Sequence, residues 1–163
     1  MKKINALLIL PSNSTGGAEK VFLSYFKSFK SSKINLKLVL TNNKYYSNLD
    51  KSFYIKQFNY SRFIFCLPKL ISFINKEKFD VVLSTFPNIS VALIFLKIIK
   101  FCNIKVIVRQ PNMVEPSMKN KTKLIFLKYI YKRVIKYADA IIVTSKYMYK
   151  EALANQINRN KIY

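Results

Sequence analysis

The sequence of 163 residues has no histidine and no tryptophan, and it has only two glycines, two cysteines and seven acidic residues. Without histidine, the Ser-His and Cys-His nucleophile pairs and every His-ligated zinc site are excluded. Cys66 and Cys102 are far apart, show no C-x-x-C spacing and lie in apolar stretches. They are expected to be buried free thiols in a reducing compartment. Long apolar runs are missing as well: Lys97 and Lys100 break the most apolar segment, Val91 to Cys102. No stretch approaches the ~18 uncharged residues that a membrane span requires. Ile4 to Leu10 faintly imitates a signal peptide, but Asn5 interrupts it and no small-residue cleavage site follows, so none is expected.

Positive charge and aromatic residues are plentiful. Lysine and arginine number 29, for a net charge of +22, and such a field attracts anions: nucleic acid, phosphorylated substrates or an anionic membrane. The lysines are scattered through a chain also rich in Asn and Ile, which is the mark of A/T-rich coding, so charge alone selects no partner. A hydrophobic content of 51% is enough to offset conformational entropy and excludes a disordered chain.

The apolar pattern alternates between two periods. Ile4 to Leu10 is a continuous run ending at Pro11, as in a parallel strand buried on both faces. Ala18, Val21, Phe22, Tyr25, Phe26 and Phe29 then recur at helical spacing and predict one apolar stripe. A strand follows at Ile34 to Leu40, then a polar loop, Asn42 to Asp50, and a weak strand at Phe53 to Phe58. The next helix buries Leu67, Leu70, Ile71 and Ile74, with Pro68 expected in its first turn. Two later segments resemble each other: Asp80 and Asp139 each precede an apolar strand that ends in hydroxyl residues, Ser84-Thr85 and Thr144-Ser145. Between them the pattern gives a helix at about Ile89 to Cys102, a strand at Lys105 to Arg109, a loop at Gln110 to Met118 and a basic helix at Lys119 to Tyr137. A short helix, Lys146 to Ala154, leads into the polar stretch Asn155 to Asn160. The alternation predicts a single α/β domain over residues 1–163, a Rossmann-like three-layer fold whose mostly parallel sheet has helices on both faces. In such folds ligands bind outside the carboxyl ends of the strands.

The only glycines, Gly16 and Gly17, sit at the turn from the first strand into the first helix. Paired glycines let the backbone approach a ligand, and the helix start offers N–H groups to a phosphate; a tight turn is the alternative use. The dinucleotide fingerprint fails here, since Ala18 stands where a third glycine would be sought and Thr41-Asn42, not an acid, follows the second strand. A P-loop also fails for want of Gly-Lys-Ser/Thr, and no carboxylate cluster suits a phospho-acceptor domain.

Gly16-Gly17-Ala18-Glu19-Lys20-Val21 opening a helix directly after the first strand resembles the N-terminal domain of glycosyltransferase family 4, of GT-B fold. Phe79-Asp80-Val81-Val82 and the segment from Tyr137 to Lys146 are similar to later parts of that domain, so the likeness spans nearly the whole chain. The resemblance implies a retaining transfer of sugar from a nucleotide-sugar donor, with neither metal nor other cofactor, and an acceptor bound mainly by this half. It places Gly16 and Gly17 near the donor diphosphate. Many members carry a histidine after the strand corresponding to Lys105 to Arg109, whereas this chain has Arg109-Gln110-Pro111-Asn112. Arg109 and Asn112 could hold acceptor hydroxyls or phosphates, or Arg109 could simply face solvent. Ser145 matches a family position at the ligand edge. The donor-binding C-terminal domain of such enzymes has no counterpart here, so the chain alone is expected to be inactive.

On the basic helix, Lys121, Lys128, Lys132 and Lys136 fall on one side with Ile125 and Tyr129, and Leu124, Leu127, Tyr131 and Val134 on the other. An anionic lipid surface would relieve the repulsion between lysines, and a solvated face is the alternative. The expected location is cytoplasmic, or peripheral on the inner face of the cell membrane. Two readings remain open: the acceptor-side half of a transferase building surface polysaccharide or glycolipid, and a binding module that recruits a separate catalytic half. A nucleic-acid partner is not expected, because no RNA or DNA motif accompanies the charge.

Overall fold

The computed structural model describes residues 3–11, 17–29, 31–42, 55–110 and 122–163. Six strands, β1 (Ile4–Leu10), β2 (Ile34–Leu40), β3 (Ile55–Gln57), β4 (Val81–Ser84), β5 (Lys105–Gln110) and β6 (Ala140–Val143), form one sheet in the order β3-β2-β1-β4-β5-β6. The order reverses at β1/β4, the switch point of a Rossmann-like α/β fold. Five helices accompany them: α1 (Gly17–Ser28), α2 (Phe63–Glu77), α3 (Pro87–Ile98), α4 (Thr122–Val134) and α5 (Lys146–Ala154). The chain divides into two compact units, residues Met1–Leu83 with Cys102–Ile104, and Ser84–Phe101 with Lys105–Tyr163.

In the first unit β1 pairs in parallel with β2, from Ile4 opposite Ile34 to Leu10 opposite Leu40, and β2 pairs with β3. Successive side chains of a strand point to opposite faces, yet Leu7, Leu8, Ile9 and Leu10 are all at most 2% exposed. Both faces of β1 are therefore covered, as its unbroken apolar run requires. The stripe on α1 is narrower than its periodicity suggests: Phe22 and Phe26 are buried, but Val21, Tyr25 and Phe29 are exposed, Tyr25 by 66%. Glu19 is buried in the first turn of the same helix.

Helix α2 begins at Phe63, so Pro68 lies inside it and not in its first turn. Proline removes one N–H from the helical ladder, and burial of Cys66, Leu70, Phe73 and Ile74 keeps the helix in place across that gap. Phe73 also meets the rings of Phe58 and Phe79 at 6.0 and 5.5 Å. Burial pushes the Cys66 thiol up to about 11, with Lys69 opposing weakly, and both cysteines are free and buried.

The second unit holds the parallel pair β5–β6, with Ile107 opposite Ala140 and Gln110 opposite Val143. Helix α4 ends in a short 3-10 helix, Ile135–Tyr137, and buries Tyr131, with Ile135 buried just after it. Lys119 and Lys121, predicted on this helix, lie outside the described residues. The polar stretch after α5 is packed, not merely polar: Ile157 is buried and Arg159–Lys161 form another 3-10 helix. Beyond it Ile162 makes a parallel bridge to Ile141, and Tyr163 exchanges backbone hydrogen bonds with Ile141 and Val143.

The repeated aspartates have a structural explanation. Asp80 accepts from the Asn5 N–H through Oδ2 at 2.8 Å and donates its own N–H to the Asn5 carbonyl at 2.9 Å. Asp139 treats Val106 identically, at 2.7 and 2.9 Å. Each carboxylate thus adds one rung below the start of its strand and clamps it to the neighbouring one. Lys97 completes the second clamp through an ion pair with Asp139 at 2.6 Å.

Candidate functional site

Helix α1 starts at Gly17, six residues beyond the last described residue of the β1 exit, Pro11. Gly16 lies outside the described residues. Gly17 does not have positive φ, and a Cβ built on it would meet nothing within 4 Å. Neither backbone strain nor internal crowding demands glycine at this position. What glycine leaves there is open space beside the first-turn N–H groups of a twelve-residue helix. Those groups carry the positive end of the helix dipole, a setting that suits a phosphate.

In the second unit the carboxyl ends of β5 and β6 bring two predicted site residues to neighbouring positions. Arg109, half-buried, pairs with Ile142 in the ladder, and Ser145 follows two residues after the end of β6. The Ser145 hydroxyl accepts from the Met148 N–H at 3.2 Å and so caps α5. Next to Arg109, buried Gln110 donates through Nε2 to Glu151 Oε2 at 2.8 Å, tying the end of β5 to α5. Tyr131 is buried nearby, and desolvation together with the Glu151 charge pushes its phenol well above the ordinary range. Asn112 lies outside the described residues.

The hydroxyl pair after β4, expected only to end a strand, is more informative than its sequence suggests. Ser84 and Ser90 share a 2.7 Å hydroxyl hydrogen bond, and Ser90 also donates to the Phe86 carbonyl at 3.0 Å. Thr85 is 1% exposed, and its Oγ1 has no hydrogen-bonding partner among the described residues. A buried hydroxyl left unpaired costs about 1–3 kcal/mol, and in native structures such a group calls for an explanation. It immediately precedes α3, whose first turn receives no side-chain cap from Phe86. The sequence signal for it was a hydroxyl residue at the carboxyl end of a parallel strand, where ligands bind.

The family model for Glycosyltransferase Family 4 matches residues 15–163. The chain belongs to glycosyltransferase family 4. Within that family the matched region includes Gly16, Gly17, Arg109, Asn112 and Ser145. Among solved structures this family 4 chain resembles the apo form of a lipopolysaccharide outer core galactosyltransferase, WaaB, with a TM-score of 0.69 at 16% identity. The alignment covers 100% of this chain and 44% of that one, so the chain spans less than half the length of the solved enzyme. At that identity the likeness is one of fold. No curated protein sequence matches the chain significantly. Among the described residues of this family 4 domain, no group of three or more Cys, Asp or Glu side chains could hold a metal, and no helix is long and apolar enough to cross a membrane.

Proposed function

We propose that the chain is the acceptor-side half of a retaining, nucleotide-sugar-dependent glycosyltransferase for surface polysaccharide or glycolipid synthesis, and that it does not turn over alone. The observation that carries this is the family match running through the glycine turn, at a helix start where the Gly17 position leaves open space. In this reading the α1 N-terminus with Gly16 and Gly17 faces the donor diphosphate. Arg109, Asn112 and Ser145 serve the acceptor, and the sugar transfer uses no metal. The lipopolysaccharide acceptor named for the fold neighbour is of the class proposed here. The donor-binding domain is supplied by sequence or a chain beyond these residues.

The test mixes the chain with nucleotide sugars and lipid-linked acceptor, with and without a donor-binding domain. Transfer only when both halves are present is expected; sustained turnover by the chain alone would refute the half-enzyme reading.

A second reading, recruitment of a catalytic half to the inner membrane surface, is favoured by one observation. The outward face of α4 carries Ile125, Phe126 and Tyr129, more than half exposed, among Lys132, Arg133 and Lys136. An apolar and cationic face of this kind suits an anionic bilayer. Sedimentation with vesicles tests it, and equal recovery with neutral and anionic vesicles would remove it.

A further inference from the structure

Between α4 and α5 lies a groove of about 440 Å³, lined by Tyr129, Lys132, Arg133, Lys136 and the turn Ala154, Asn155, Gln156. Its size is that of a small-ligand site. Three cationic side chains and no carboxylate line it. Among the described residues of this unit the acids are Asp139 and Glu151, and both are engaged elsewhere, with Lys97 and Val106 N–H and with Gln110 respectively.

A common role for cations at this point is to answer the partial negative charge of a helix C-terminus. Here other residues already do so. Lys161 donates to the Lys136 and Ala138 carbonyls at 3.4 and 3.0 Å, and Lys97 donates to the Tyr137 carbonyl at 3.2 Å. The closing carbonyls of α5 are likewise occupied, by the N–H groups of Asn155, Gln156 and Ile157. Lys132 and Lys136 stand at i and i+4, a spacing at which like charges repel. Arg133 stacks on the Tyr129 ring at 5.1 Å, which restricts its guanidinium before any ligand arrives.

We infer that this groove seats the phosphate of an anionic lipid headgroup, with Arg133 and Lys136 as its principal ligands. The inference rests on the membrane-docking reading above. The lipid source follows from continuity along the helix: Ile125, Tyr129, Arg133 and Lys136 follow at spacings of four, four and three residues. Phe126, 69% exposed, adjoins the apolar end of that stripe. A soluble phosphate would use only the cationic end. A phospholipid uses both, its headgroup in the groove and its acyl region against Ile125 and Phe126.

The test is sedimentation of the full chain with phosphatidylcholine vesicles and with vesicles containing phosphatidylglycerol. Four proteins are compared: wild type, Arg133→Gln/Lys136→Gln, Ile125→Ser/Phe126→Ser, and the charge-matched control Lys20→Gln/Lys27→Gln on exposed positions of α1. Circular dichroism checks that each is folded. At roughly a tenfold effect per basic residue at an anionic surface, the groove pair is expected to weaken binding to anionic vesicles at least about 10-fold. The α1 pair should cost less than about 3-fold. Equal losses from the two lysine-containing pairs would mean diffuse attraction and overturn the groove while leaving docking intact. Loss only in the Ile125/Phe126 variant would do the same. Absence of wild-type binding to any vesicle overturns both readings. If glycerol phosphate shifts the Arg133 resonances while no vesicle sediments, the lipid occupant is refuted in favour of a soluble phosphate.

Discussion

Substituting Gly17 by alanine separates the two uses a glycine can have at a strand-to-helix turn. If glycine is there to make the turn, alanine should destabilise the chain. The structure predicts the opposite, because φ at Gly17 is not positive and the added methyl would meet nothing within 4 Å. Alanine is favoured over glycine inside helices by up to about 1 kcal/mol, and at a first helical residue roughly half of that is a fair expectation. For a domain of this size about 0.5 kcal/mol corresponds to a rise of roughly 1–2 °C in Tm, measurable by thermal circular dichroism. The same methyl would occupy the space proposed for a diphosphate. Titration with a nucleoside diphosphate should therefore give affinity about 10-fold lower than wild type. A fall in Tm would return Gly17 to the role of a turn device; a raised Tm with unchanged affinity would remove the phosphate from this end of α1.

Three other perturbations follow from the geometry. Asp139→Ala leaves the N–H of buried Val106 without its acceptor and should cost about 1–3 kcal/mol in denaturant unfolding, whereas Asp139→Asn, which keeps an oxygen there, should cost less. The ion pair with Lys97 is about a third exposed on both sides and adds little to that difference. Thr85→Val removes a buried hydroxyl that lacks a partner, so stability should hold or rise by up to about 1 kcal/mol. A loss larger than that would mean the hydroxyl is bonded. Tyr131 is neutral when folded and its phenol is held above the ordinary value of 10.0, so the unfolded chain loses that proton first. Its contribution is present below pH 10 and declines as pH rises beyond it. Tyr131→Phe should make stability fall less steeply from pH 10 to 11, and an identical slope would refute the assignment.

The continuous elements were legible because each signal was redundant. Ile4–Leu10, Ile34–Leu40 and Lys146–Ala154 lie where the apolar period and the flanking punctuation agree. The stripe on α1 was overdrawn, since periodicity marks residues that can be buried but not how wide a face the neighbouring strands will cover; Tyr25 and Val21 lie beyond that width. Pro68 misplaced the start of α2 because proline favours a first turn, and the burial that holds the helix around it depends on contacts distant in sequence, such as Phe73 with Phe79. At the site, the glycine pair and Arg109 were visible as residue types. Thr85 was not, because an unpaired hydroxyl is a property of its surroundings.

The two aspartate clamps bear on how the sheet finds its alignment. In a strand that alternates apolar and polar residues, a one-residue slip exposes the wrong side chains and is rejected. A strand such as β1, whose last four positions are all apolar and all buried, gives no such warning, and parallel neighbours share no tight turn to count from. A carboxylate that finds a backbone N–H in only one alignment supplies the missing check. Asp80 does this for β1 and Asp139 for β5. A shift of even one residue would break the paired hydrogen bonds at 2.8 and 2.9 Å in the first case and at 2.7 and 2.9 Å in the second. Each half of the sheet thus carries its own proofreader of register, positioned at the strand's beginning, away from the edge where substrate chemistry is proposed.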